Sequence, residues 1–256
     1  ESGDLDFTPR NPLIYFSGAE KITENAKRFR ELTAELAKNI DARMQADREL
    51  GPAGLLIDTP PWAASASAAS KTLVVALQSL RVNALVVIRN DRLFKEMKDA
   101  FPGMPVVKVG QSGGLVDRDE AAVKHLASDR IKWYFDGIRG QLSPVRETFV
   151  LGKDLFIYQA RSAVVADAAL RPIGSDEVAE EKIPQIIVVD KKLESSVLAV
   201  LHASSEDEVL TANAAGFVLV ESVSIADNSL TLSLPCPGGL KSKYLVYGKI
   251  KYFEHL

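Results

Sequence analysis

The chain has 256 residues, 46% apolar and 25% charged, enough hydrophobic surface for one large domain or two ordinary ones and too little polarity for a disordered chain. Its formal net charge of −3 removes any global electrostatic case for wrapping nucleic acid and leaves room only for a local site. The single cysteine, Cys236, excludes an internal disulfide framework and a cysteine-based zinc site, and fits a reducing compartment.

The opening ESGDLDFTPR lacks the charged-then-apolar pattern of a signal peptide and reads as a linker or as a chain that begins in mid-domain. Pro12 to Phe16, PLIYF, is expected to be a short apolar strand. From Lys21 to about Asp47, Ile22, Phe29, Leu32, Leu36 and Ile40 fall at helical spacing with charges opposite. Pro52 and Gly54 then lead into GLLID, Gly54 to Asp58, a fully apolar run that reads as a strand. Ser67 to Leu80 predicts a second helix, with Leu73, Ala76, Leu77 and Leu80 on one side. ALVVI, Ala84 to Ile88, is a further apolar strand. Asp91 to Ala100 is a third helix with Leu93, Phe94 and Met97 facing inward, ended by Pro102 and Gly103. PVVKV, Pro105 to Val109, is the next strand. Helices alternating with strands that carry apolar residues on both faces are the mark of a parallel sheet covered on both sides. A glycine turn, Gln111 to Gly114, and a charged helical stretch from about Asp119 to Phe135 complete this part.

The period changes near residue 145. Thr148 to Ala160 reads as two strands around a Gly-Lys-Asp turn, and Ala166 to Pro184 is irregular and acidic. Strand-like runs follow at Ile186 to Asp190, Ser196 to Ala203, Gly216 to Leu234 and Tyr244 to Phe253, with Asp227-Asn228 as a hairpin turn. The expected fold class is α/β: a parallel-sheet part over 1–147, then a smaller, mainly antiparallel β domain over 148–256, compatible with a small barrel.

No GxxxxGK[ST] and no GxGxxG occurs in the sequence. GGLKS, Gly238 to Ser242, has some look of a phosphate loop, but it precedes a strand, whereas a phosphate loop must open a helix. His125, His202 and His255 are scattered without metal-binding spacing. No apolar run approaches the length needed to cross a bilayer.

Three features could carry chemistry. Asp58-Thr59-Pro60-Pro61-Trp62 puts a carboxylate and an aromatic after an apolar run; it suits a ligand edge, or a capped turn with a tryptophan plug. Ser112-Gly113-Gly114 followed by Arg118 suits close approach to phosphates, or an ordinary glycine turn beside a solvated arginine. The run from Arg130 to Phe135, with Arg139, is most simply an amphipathic helix whose aromatics are core.

Taken in order, QSGGLVDR, DRIKWYFDGIRG, RPIGS (Arg171 to Ser175) and AAGFVLVESVS resemble the Clp type of polynucleotide 5′-hydroxyl kinase, a subunit of the nuclear pre-mRNA cleavage and polyadenylation factor. The Grc/Nol-type ribosomal-RNA kinases are the next most similar. The resemblance runs along almost the whole chain. It implies the later half of a P-loop kinase-like domain followed by a C-terminal β domain. The phosphate loop and the magnesium-binding segment are expected upstream of PLIYF, which makes this sequence look like a fragment.

The family's clasp, Thr-x-Gly-Trp, is implicated in holding the RNA 5′ end and corresponds here to Thr59-Pro60-Pro61-Trp62. Pro61 stands in place of glycine, with φ fixed and no N–H. Of the two lid arginines, Arg118 matches the first, and ungapped counting to Arg130 puts the second at Val123, beside Lys124. Loss of one such arginine commonly lowers rates by roughly 10³–10⁵-fold. The resemblance therefore implies a nuclear, kinase-inactive scaffold with ATP and Mg2+ bound mainly by the upstream segment. A Pcf-type cleavage-factor subunit, other 3′-end processing subunits and RNA are the implied partners, and no membrane. An active RNA 5′-hydroxyl kinase, or a kinase of ribosomal-RNA processing, is the alternative.

Overall fold

The computed structural model describes residues 12–47, 50–59, 67–116, 118–160 and 186–252. A single 3-10 turn, Ile22–Asn25, opens the long helix α1, Ala26–Ala46. The short α2, Leu50–Ala53, is followed by α3, Ser67–Ser79. Then come β1, Leu85–Ile88; α4, Asp91–Ala100; β2, Val106–Val109; and α5, Glu120–Asp136.

β1 and β2 pair in parallel, Val86 opposite Val107 and Ile88 opposite Val109. One face of this pair is covered: Leu85 and Val106 pack with Leu73 and Leu77 of α3 and Met97 of α4. The other face stays open, with Val86 and Ile88 each 64% exposed and Val107 and Val109 also exposed. The expectation of a sheet buried on both sides is thus met on one side only among the described residues. GLLID is corrected more sharply. Residues 54–59 pair with no strand among the described residues, and Leu56 is 98% exposed. An apolar run becomes a strand only where a partner ladder takes its N–H and C=O groups.

The second half is a curled six-stranded sheet. Its strands are β3, Val145–Val150; β4, Phe156–Gln159; β5, Ser196–Leu201; β6, Ala214–Ser224; β7, Ser229–Leu234; and β8, Tyr244–Lys251. Their spatial order is β3-β7-β6-β5-β8-β4, and every pairing is antiparallel except β4 with β8. Around the Gly152-Lys153-Asp154 turn β3 and β4 follow one another, yet they do not form a hairpin. They are the two edges of the sheet, brought together at one corner by a bridge between Leu151 and Leu155. Asp227-Asn228 does make a hairpin turn, between β6 and β7. Asn228 takes the left-handed backbone (φ +50°) that asparagine tolerates, and its side chain donates to the Leu151 carbonyl at 3.0 Å.

Curling gives the sheet an inner core of Leu155, Ile157, Leu198, Val220, Leu232 and Leu245. All of β5 is buried, because its outer face is covered too. There Ala199, Leu201, Tyr158 and Val246 form a second cluster with Phe16. PLIYF is therefore not the expected strand. Among the described residues its only ladder contact is a single bridge from Ile14 to Ala214, and Phe16 is a plug on the back of the β sheet. IIVVD likewise keeps one bridge among the described residues, Ile186 to Tyr158.

Candidate phosphate-facing site

In an open α/β sheet the ligand edge is where the strands' carboxyl ends meet their following loops. At this edge Arg89 follows β1 and Gly110 follows β2. The Arg89 N–H donates to the Val109 carbonyl at 3.0 Å, so the parallel ladder continues one residue past β1. Arg89 has a left-handed backbone, φ +62°, unusual for a residue with a Cβ. The next residue, Asn90, caps α4 by accepting from the Leu93 N–H at 2.8 Å. The Arg89 guanidinium donates to the side-chain oxygen of Gln111, the residue before Ser112. Asp91 is held by Lys108 of β2, which keeps that carboxylate engaged away from Arg89.

Ser112, Gly113 and Gly114 form an exposed turn. The Ser112 carbonyl accepts from the Leu115 N–H at 3.2 Å, and its hydroxyl accepts from the Gly114 N–H at 3.4 Å. A Cβ built on Gly110 or Gly113 meets nothing within 4 Å. The loop therefore borders open space, and its glycines leave the backbone approachable. Arg118 is exposed, immediately before the N-cap of α5, where the Asp119 carboxylate accepts from the Ala122 N–H at 2.7 Å. Val123, on the first turn of α5, is 54% exposed.

The sequence-derived residues are placed unequally. Ser112, Gly113, Gly114 and Arg118 share one loop between β2 and α5. Thr59 is exposed at the end of the unpaired 54–59 stretch; Pro61 and Trp62 lie outside the described residues. The aromatic run of α5 is divided rather than wholly core: Phe135 is buried, Trp133 is exposed, and Tyr134 reaches across to β6. Arg89 is a residue of this edge that the sequence pattern does not single out. Its one signal there is position, the first residue after an apolar strand and one before a helix-capping asparagine.

Two sequence families match the chain. The one described as mRNA cleavage and polyadenylation factor CLP1 P-loop covers residues 2–137, and the one described as pre-mRNA cleavage complex II protein Clp1 covers residues 142–254. Among curated proteins, the chain is 29% identical over 246 residues to Protein CLP1 homolog of Arabidopsis thaliana, covering 94% of this chain and 55% of that protein. It is 26% identical over 250 residues to Polyribonucleotide 5′-hydroxyl-kinase Clp1 of Homo sapiens, covering 97% of this chain and 58% of that protein. The chain spans little more than half the length of these relatives. Its fold is similar to that in a solved wild-type Clp1p–Pcf11p complex, with a TM-score of 0.77 and 22% identity over 96% of this chain and 56% of that one.

Proposed function

This chain belongs to the Clp1 family of pre-mRNA cleavage and polyadenylation proteins, and from that premise we propose that it serves nuclear mRNA 3′-end processing as an ATP-binding scaffold of polynucleotide-kinase ancestry. The observation that carries the scaffold reading is Val123. It occupies the position matched to the family's second lid arginine and is exposed, so an apolar side chain faces solvent where a guanidinium would meet phosphate. Pro61 in the clasp position supports the same reading from the sequence.

The 112–118 loop fits a phosphate chain. It offers approachable glycine backbone and the Arg118 guanidinium, whose planar donors bind phosphate oxygens by charge-assisted hydrogen bonds. When bound, ATP supplies a transferable γ-phosphoryl group. This chain's own part would be to hold phosphate oxygens at Arg118 and to keep the loop close to them through Ser112. Among the described residues no group of three His, Cys, Asp or Glu side chains could hold a metal ion, so no ligand is assigned to magnesium. The open face of β1 and β2 supports the reading that the nucleotide's main grip comes from polypeptide beyond these residues.

For a partner, we propose a Pcf-type cleavage-factor subunit, a reading supported by the similar fold of Clp1p, which was solved in complex with Pcf11p. A second reading, a working RNA 5′-hydroxyl kinase, is favoured by the name of the human relative and by the retained Arg118. One assay separates the two: the full-length protein with 5′-hydroxyl RNA and labelled ATP. The scaffold reading expects no labelled RNA, together with retention of the Pcf-type subunit in a pull-down. Robust labelling would establish the kinase instead.

A further inference from the structure

We propose that Arg89 is a second phosphate-binding guanidinium of this site, supplied by the end of β1 where α5 presents Val123 at the matched lid position. The inference rests on the reading of the 112–118 loop as phosphate-facing. Arg89 and that loop lie side by side, because β1 and β2 end in register at Ile88 and Val109 and the Arg89 N–H continues the ladder to Val109. The Arg89 side chain bridges to Gln111, one residue before the Ser-Gly-Gly turn. That single bond, the only side-chain partner Arg89 has among the described residues, engages one of the guanidinium's five N–H donors and orients the group, leaving the others on an exposed edge.

The backbone supports the same assignment. At φ +62° a glycine or an asparagine would sit with less strain, so the fold itself has no need of an arginine here. Among the described residues Arg89 also has no carboxylate partner, the usual structural reason for a surface arginine: the neighbouring Asp91 is bound by Lys108. What the position does provide is a fixed cation at the carboxyl ends of two parallel strands, beside open glycine backbone. The chemistry it fits is a phosphate ester oxyanion. Two sources carry that group: the triphosphate of ATP and the phosphorylated 5′ end of RNA.

The test titrates the intact protein, followed by calorimetry, with ATP in one arm and a short 5′-phosphorylated RNA in the other. The variants are Arg89→Gly, Arg89→Lys and Arg118→Ala. Arg89→Gly suits the left-handed backbone, so its melting temperature should equal or exceed that of the parent. Its affinity should fall about fivefold or more for at least one probe, with Arg89→Lys in between. The arm with the larger loss identifies which phosphate Arg89 meets. If Arg89→Gly binds both probes like the parent while Arg118→Ala binds them more weakly, the assignment of Arg89 is overturned and the loop reading stands. If the parent binds neither probe, or neither Arg89→Gly nor Arg118→Ala changes affinity, the loop reading fails and this assignment with it.

Discussion

The phenol oxygen of Tyr134, near the end of α5, accepts a hydrogen bond from the backbone N–H of Phe217 on β6 at 2.9 Å, across 83 positions of sequence. The two rings also meet edge to face with centroids 5.7 Å apart, and Phe16 meets Phe217 from another direction at 5.8 Å. One residue away, a Cβ built on Gly216 lies 3.0 Å from the Tyr134 oxygen. The helix that begins beside Arg118 is thus tied at its far end to the β sheet. Tyr134→Phe should cost about 1 kcal/mol, the net worth of one hydrogen bond. Gly216→Ala should destabilise the parent more than it destabilises Tyr134→Phe, because removing the oxygen makes room for the methyl group. Denaturant unfolding of the four proteins in a double-mutant cycle checks this; simple additivity would refute crowding at this contact.

Arg28, on the first turns of α1, is only 2% exposed and donates to the Leu210 carbonyl, while its Nε has no partner among the described residues. Burial pushes its guanidinium down to about 10, against the opposing pull of Glu31. Since the folded value lies below the free one, the unfolded chain holds this proton more tightly. The charge therefore opposes folding at every pH below about 10, and the opposition fades as the pH rises above that. Arg28→Met fills the space without the charge and should leave stability within about 1 kcal/mol of the parent or above it. Arg28→Ala leaves a cavity and should cost about 2–4 kcal/mol. Chemical denaturation ranks the three; equal losses from both variants would show that the charge itself contributes.

Tyr158 is buried on the outer face of the sheet, and burial, with the Glu206 carboxylate adding to it, pushes its phenol up to about 12. The shift is upward, so the contribution to stability is intact below pH 10 and is lost as the pH rises from 10 toward 12, where the unfolded chain gives up its proton first. Tyr158→Phe should flatten that decline. Melting temperatures on either side of pH 10 for parent and variant provide the measurement, and an identical alkaline decline in both would rule the phenol out as its cause.

Gly248 on β8 lies against Gly18. A Cβ on Gly248 would come within 2.4 Å of the Gly18 Cα and carbonyl oxygen, and the Lys249 N–H donates to that same carbonyl at 2.7 Å. Gly248→Ala should cost about 3 kcal/mol, since backbone rather than a movable side chain blocks the methyl. Gly152 is the contrast: its φ is +83° with nothing within 4 Å of a built Cβ, so Gly152→Ala should cost only about 1 kcal/mol of backbone strain. Thermal unfolding distinguishes the two, and equal costs would contradict the steric account.

Where local chemistry decides an element, the sequence was legible. The helix at Asp91–Ala100 was readable from its apolar spacing and the proline and glycine after it, and the β6–β7 turn from Asp227-Asn228. Pairing was not legible. GLLID and PLIYF have the composition of strands, but a ladder needs a partner, and among the described residues GLLID has none and PLIYF a single bridge. The same blindness hid the separation of β3 and β4, which look like a hairpin and are the two sheet edges. At the candidate site, the glycine turn and Arg118 stood out by residue type. Arg89 did not, since its distinction is a backbone angle and a cross-strand neighbour, neither of which leaves a mark in residue order.

The contact of the 12–18 segment with the back of the β sheet has a consequence for synthesis. Phe16 packs with Val246, the Gly18 carbonyl accepts from Lys249, and Glu24 pairs with Lys249 across 225 positions. A ribosome makes the plug among the first of these residues and the strand it docks on among the last. The plug's apolar side chains must wait, exposed, while the intervening residues emerge. The outer cluster can close only after β8 has left the exit tunnel, so consolidation of this fold waits for its last strand, and shielding of the nascent segment should govern its yield.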